Sequence, residues 1–406
     1  MPFRKFLEKQ EKHFNKGGKL EKFAPFYEMV GTFFYQTSAV STGKTAMRDA
    51  LDLKRIMITV VLALLPCIIM MFYNTGYQAN VAIAKLQAAG AAVPFTWRED
   101  LLLAIGIGFS PESLFANMIH GFLYFIPIYV TVVVIGGAWE LLFATIRKHE
   151  INESFLVTSL LFPMVLPPTI PIWQAAMAIS FGIVFGKEIF GGTGKNIVNP
   201  ALFSRAFLFF AYPTSMSGDT IWYPISSLVV DGVSGATPLA AAKTTGVINI
   251  SWWDAFIGIV PGSMGETSVI ACLIGAVILV WTKIGSLRIM LSGIAGLAFT
   301  VLLFNVLGGD TNPFWSVGVH WHLVLGGFIF GIVFMATDPV SASVTKWGKV
   351  IHGFMIGMLT ALVRLVNPGY PEGVMLSILF CNVTIPAIDY YFIKRNIKRR
   401  EVRCAS

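Results

Sequence analysis

The sequence predicts an all-α polytopic membrane protein of about ten transmembrane helices, in two inverted five-helix repeats with broken helices. Three observations carry that expectation. Hydrophobic residues make up 55% of the chain and charged residues only 13%, against roughly 25% charged in soluble domains. Stretches such as 55–73, 121–139, 266–284 and 287–308 each approach the ~20 apolar residues that cross a bilayer core. Lysine and arginine also gather on alternate connections, as positive-inside orientation demands. The mean hydropathy of +0.70 agrees.

The chain divides into five parts. Residues 1–54 form an arm that opens FRKFLEKQEKHFNKGGKLEKF, alternating in charge and lacking the apolar core of a secretory signal. It is expected on the inner side, either as a solvated tail or as a basic amphipathic segment lying on a membrane or partner surface. Residues 55–212 form the first membrane half, with spans near 55–73, 119–143, 154–166, 173–190 and 201–212. Residues 213–265 form a long outer loop. Residues 266–394 form the second half, with spans near 266–284, 287–307, 322–337, 350–366 and 373–393. Residues 395–406 form a basic tail. Two spans, 154–166 and 201–212, are short and end at prolines, and helices of that kind survive at membrane depth only where protein or a cavity covers the freed backbone.

Orientation follows from the short loops. With the arm inside, the inner connections hold Lys54 and Arg55, Arg147 and Lys148, Lys187 and Lys195, Lys283 and Arg288, Lys346 and Lys349, and the tail KRNIKRR. The outer ones hold Lys85, Lys243 and Arg98, the last offset by Glu99 and Asp100. Both ends are therefore expected in the cytoplasm. The halves echo each other: VLPPTIP, a helix and then KNIVNPALF in one; FMATDPVSAS, a helix and then RLVNPGYPEG in the other. Five helices per half make such repeats inverted, with a site between paired broken helices. The alternative is that Asn-Pro merely punctuates loops.

Composition also excludes several functions. The net charge of +8 brackets the spans rather than forming a nucleic-acid surface. Cys67, Cys272, Cys381 and Cys404 form no CxxC pair, so neither a disulfide framework nor a metal or iron–sulfur site is expected from this chain alone. With no Gly-x-Gly-x-x-Gly segment, a nicotinamide nucleotide would have to bind elsewhere.

In the outer loop, DGVSGATPL surrounds Thr237 with small residues that leave its hydroxyl uncrowded, while Asp231 could position a phosphate-bearing reactant. A Gly-Ala-Ser loop is by itself a weak signal. In context, Asp231, Ser234, Gly235, Ala236 and Thr237 resemble the flavinylation motif of the NqrB family, membrane subunits of the sodium-translocating NADH:quinone reductases. The likeness extends through LDLKRIM, IGGAWELLFATIRKHEINE, GGTGKNIVNPALFSRAFLFFAYP, HWHLVLGGFIFGIVFMATDPVSAS, VRLVNPGYPEG and RNIKRR. The RnfD component of the Rnf electron-transport complexes, which couple ferredoxin to NAD, is the related alternative. A flavin-free secondary transporter or channel is the reading that the repeats alone would permit.

The resemblance implies a translocase component in a bacterial inner membrane. It would pass electrons from NADH, through flavin- and iron–sulfur-carrying partner subunits, to ubiquinone while sodium leaves the cell. It implies FMN in phosphoester linkage to Thr237, attached by a flavin transferase, and unphosphorylated riboflavin near the cytoplasmic side. For the riboflavin, Asn196 and Asn199 offer amide donors and acceptors, and Asp338 and Ser341 come from the partner motif. Asn199 as a mere helix cap is the bland alternative. Gly136, Gly137 and Phe155 correspond to the family's quinone pocket, although Leu156 replaces the second aromatic residue, and a glycine pair also serves plain helix packing. Intramembrane carboxylates are costly, which makes Glu140 and Asp389 candidates for a sodium path. Glu188, beside Lys187, reads as structural. Arg205 is expected to face a flavin anion or a carboxylate, and His320 and His322 to sit in an interfacial belt.

Overall fold

The computed structural model describes residues 27, 53–88, 90, 93, 95–147, 154–217, 221, 222, 224, 237–246, 248–307, 312–367 and 372–405. Among these the chain is helical and contains no strand. The first half comprises α1 (Leu53–Ala88), the short outer α2 (Trp97–Ile105), α3 (Leu114–Arg147), α4 (Ser154–Met164), α5 (Ile172–Ile183) and α6 (Pro200–Ala211). A π-helical turn, Val184–Glu188, extends α5. The outer segment carries α7 (Pro238–Thr245) and α8 (Trp252–Ile257). The second half comprises α9 (Val269–Trp281), α10 (Leu287–Leu307), α11 (Val319–Val324), α12 (Phe328–Phe330) running into a π turn at Gly331–Met335, α13 (Lys346–Val366) and α14 (Val374–Ala405). Nine of the ten expected spans each fall on one of these helices, whereas the span expected at 322–337 is divided between the end of α11, a break, α12 and the π turn. Five (α1, α3, α10, α13 and α14) are long and apolar enough to cross a membrane by themselves.

Within each half, helices near one another in the chain pack together. In the first, α3 packs on α5 and α5 on α6; in the second, α10 packs on α13 and α13 on α14. The halves meet where α1 lies against α9 and α6 against α14. Burial is inside-out relative to a soluble protein. Val134, Ile146, Val277 and Phe380 are exposed, whereas Glu140, Lys187, Arg205 and Arg364 are buried. Large apolar side chains facing outward meet lipid at little cost, and buried charges need partners within the bundle.

Two breaks shape the interface. At Leu325–Gly327 the chain turns through two left-handed glycines, Gly326 (φ 72°) and Gly327 (φ 65°). The carbonyls freed there and at the end of α11 accept from Arg364, at 2.5 Å for His322, 2.9 Å for Leu325 and 3.1 Å for Gly326. A guanidinium thus supplies what water cannot at that depth. The segment before α9 covers the end of α4 likewise: Met264 N–H donates to Leu166 O (3.1 Å) and Gly265 N–H to Met164 O (2.7 Å). The span expected from residue 266 therefore starts at Val269 and is preceded by a non-helical stretch.

Candidate functional site

Two pockets frame the candidate site, one between the halves at the end expected inside, the other between the outer segment and the second half. The inner one spans about 640 Å³ of atom-free space, its open mouth included, and its polar lining is Ser154, Thr158, Lys187, Thr193, Asn196, Asn199, Thr337 and Asp338. Met57, Val60, Leu161 and Phe334 supply apolar walls. Local sequence explains the asparagines. Asn199 precedes Pro200, whose missing N–H suits the first helical position, and its side chain caps α6 by accepting from Ala201 N–H (3.0 Å) and Leu202 N–H (3.4 Å). Its amide nitrogen reaches Asp338 Oδ2 at 3.4 Å. Asp338 is further held by Ser341 Oγ (2.9 Å) and Val340 N–H (3.2 Å). Asn196 donates to Val198 O at 3.0 Å. All four expected riboflavin residues therefore come together, three lining the cavity and Ser341 bracing Asp338. The capping alternative for Asn199 is equally visible.

Lys187 is the residue that sequence reasoning missed. Counted among inner-loop charges, it is instead only 4% exposed, on the π turn after α5. Its Nζ pairs with Glu140 and reaches Ser154 Oγ at 3.4 Å. Its neighbour Glu188 pairs with Arg147 at 3.2 Å. A π turn, a common mark of functional sites, was the feature that could have been sought, but hydropathy does not reveal it.

Asp389 belongs to another cluster. It accepts from Ser343 Oγ (2.8 Å), Val344 N–H (2.8 Å), Thr345 N–H (3.2 Å) and Thr345 Oγ1 (2.5 Å), tying α14 to the start of α13. The glycine notch in α3 is filled by the chain itself. A Cβ at Gly136 would lie 2.6 Å from the Phe155 ring, and one at Gly137 would lie 3.7 Å from it.

The outer pocket, about 400 Å³ of atom-free space with its mouth, is lined by Thr237, Ser263, Glu266, Thr267, Gly326, Gly327 and Glu372 among others. Thr237 is buried and caps α7, its Oγ1 accepting from Ala240 N–H at 3.2 Å. Asp231, Ser234, Gly235 and Ala236 lie outside the described residues. Arg205 reaches from α6 to Glu372 (2.5 Å), Glu266 (3.6 Å) and Ser263 (3.4 Å), so of its two expected partners it takes the carboxylates. His322 corrects the belt reading: it is 1% exposed and packs edge-on to Phe314 at 5.0 Å, because α11 turns it inward, while His320 is exposed. Cys67 and Cys272, distant in sequence, face each other as free thiols with sulfurs 3.8 Å apart.

The NQR2, RnfD, RnfE family matches residues 38–398 of the chain. Relatives resemble it end to end. The NqrB component of the Na(+)-translocating NADH-quinone reductase of Chromohalobacter salexigens is 51% identical, covering 100% of this chain and 98% of the relative. The protein of the same name from Stutzerimonas stutzeri is 51% identical over 99% of this chain and 100% of its own length. That of Pseudomonas aeruginosa is 49% identical with the same coverage.

Proposed function

The chain belongs to the NQR2, RnfD, RnfE family, and on that premise we propose that it is the membrane redox subunit of a sodium-translocating NADH:quinone reductase. In this reading it carries FMN esterified to Thr237 and riboflavin in the inner pocket, and it works with flavin- and iron–sulfur-carrying subunits in a bacterial inner membrane, both ends in the cytoplasm. The full-length likeness to proteins named as components of that reductase favours this over an Rnf-type role.

The observation that carries the proposal is the position of Thr237. Its hydroxyl oxygen accepts one cap hydrogen bond, which leaves it further hydrogen-bonding capacity, and the residue lines the pocket. An ester oxygen keeps that acceptor role, and a phosphate there meets the positive end of α7. The carboxylates of Glu266 and Glu372 in the same pocket are offset by Arg205. In the inner pocket, Asn196 and Asn199 offer the donors and acceptors that a pyrimidinedione edge requires, with the Lys187 ammonium beside them. Bound flavins supply the electron transfer, and the chain's part is to orient them and exclude water.

Quinone is assigned to the contact of Gly136, Gly137 and Phe155, which a flat ring enters by displacing the Phe155 side chain. Glu140 and Asp389 are assigned to the sodium path, each reaching a cation only by exchanging the partners described above.

The test is mass spectrometry of the peptide spanning 231–239, with ultraviolet fluorescence of the denatured chain. Protein from cells with the transferase should carry one FMN, and Thr237→Ala should be dark. An unmodified wild-type peptide would remove the redox assignment and leave a flavin-free transporter. In the same preparations, Gly137→Leu should slow quinone turnover while NADH still reduces the flavins; unchanged quinone kinetics would leave that notch a packing contact.

A further inference from the structure

At the outer end of the bundle, away from both pockets, lies a buried polar network whose proton positions are forced by its geometry. Pro111 O can only accept, so the Asn117 amide nitrogen donates to it at 2.8 Å. Asn117 Oδ1 then accepts from Asn80 Nδ2 at 2.7 Å. Asn80 Oδ1 is thereby an acceptor, and it faces His120 Nδ1 at 2.8 Å, so that nitrogen carries a proton. The other ring nitrogen, Nε2, faces Glu99 Oε1 at 3.3 Å. Glu99 Oε2 is occupied by Thr96, whose N–H donates at 2.8 Å and whose hydroxyl also reaches it. Unless a second proton lies between His120 Nε2 and Glu99 Oε1, two lone pairs confront each other with His120 and Glu99 0% and 1% exposed.

We propose that His120 and Glu99 form a buried proton-binding site that clasps α2 to α1 and α3 on the outer face. Both Asn80 and His120 stand about 27 residues from the inner ends of their helices, ~40 Å at 1.5 Å per residue. That length exceeds the ~30 Å hydrocarbon core, so, given the orientation in the proposed function on which this inference rests, the site answers to the outer medium. The other groups facing it are few. Tyr124 on α3 donates to Glu99 Oε1 at 3.1 Å, with Pro224 O at 3.4 Å as its alternative acceptor. Arg98 on α2 lies 4.6 Å over the Tyr124 ring, and Phe109 presents a ring 6.1 Å from His120. Asn80 is the contribution of α1. Glu99 is thus the anionic group in direct contact with the imidazole, and Arg98 acts from behind the tyrosine ring. One proton completes the network. Its loss at high outer pH leaves a carboxylate against a bare ring nitrogen, and α2 loosens.

The measurement is amide deuterium exchange over residues 97–113 at a series of outer pH values, read by mass spectrometry on the assembled complex. Wild-type exchange in this segment should accelerate at high pH beyond its intrinsic chemical dependence, as the clasp opens. In Glu99→Gln, which removes the anionic partner of the imidazole, that excess should disappear. Wild-type exchange that follows the intrinsic dependence alone overturns the proposal, and this reading comes from the wild-type protein and survives a variant that fails to fold.

Discussion

At the scale of single residues, charge placed in the bundle interior is informative because it is expensive. Lys187 and Glu140 are 4% and 5% exposed and pair across the wall of the inner pocket. Breaking a buried pair costs about 3–5 kcal/mol because it strands one charge, whereas replacing both partners is often neutral. Lys187→Met or Glu140→Leu alone should therefore lower thermal stability and riboflavin content, and the double variant should recover stability. If Glu140 also serves sodium, the double variant should regain its fold yet stay insensitive to sodium; equal losses in all three variants would deny the coupling. The pairing itself was not legible in the sequence, where Lys187 reads as one more loop cation. Asn199 and Asp338 were legible because Asn-Pro and Asp-Pro announce where helices start and stop. On the outer face, burial alone would raise the Glu99 carboxyl, but donors from His120 and Thr96 hold it down at about 2, against an ordinary 4.5. A carboxyl depressed in the folded state stabilises fully above its unfolded value, and that contribution fades as pH falls from about 4.5 toward 2. Amide exchange of α2 should rise through that window, and Glu99→Gln should flatten the dependence.

At the scale of elements, hydropathy made the crossing helices legible but not their lengths. α1 has 36 residues and α3 has 34, ~54 and ~51 Å, well beyond a ~30 Å core. Asn74, Gln78 and Asn80 look like the start of a loop; the structure buries them on the outer continuation of α1. The tail expected after residue 394 likewise continues α14 to Ala405. Glycines set how closely these helices approach, which no hydropathy scale registers. A Cβ at Gly121 of α3 would lie 1.9 Å from Phe72 O of α1, and one at Gly357 of α13 would lie 1.9 Å from Gly293 O of α10. With no hydrophobic drive between helices in lipid, such backbone contacts carry the association. Gly121→Ala and Gly357→Ala should each destabilise by roughly 1–3 kcal/mol through overpacking. Gly108→Ala, with nothing within 4 Å of its Cβ, should stay within about 0.5 kcal/mol. Thermal unfolding of the three purified variants checks the contrast, and equal behaviour would refute it.

At the scale of the whole molecule, the question is whether the halves move against each other. The inner pocket lies on their interface, and alternating access in inverted-repeat proteins works by rocking at such a seam. The first helix of each half meets the other there, and Cys67 of α1 faces Cys272 of α9 at 3.8 Å between sulfurs. A disulfide requires about 2.05 Å, so a small approach suffices. Copper–phenanthroline, an apolar oxidant, removes two electrons and two protons from the pair and staples the halves at mid-seam. Both thiols are buried, so hydrophilic oxidants should leave them untouched. The staple should form in the assembled complex, read as protection of both cysteines from alkylation after denaturation. If ion movement requires the halves to rock, sodium-dependent quinone reduction should fall as cross-linking proceeds and return with dithiothreitol, while flavin content stays constant. Cys67→Ser and Cys272→Ser should resist the inhibition. A fully cross-linked complex that pumps at the normal rate would mean that α1 and α9 travel together, and that any switching lies in the broken segments around Leu325–Gly327 and the end of α4.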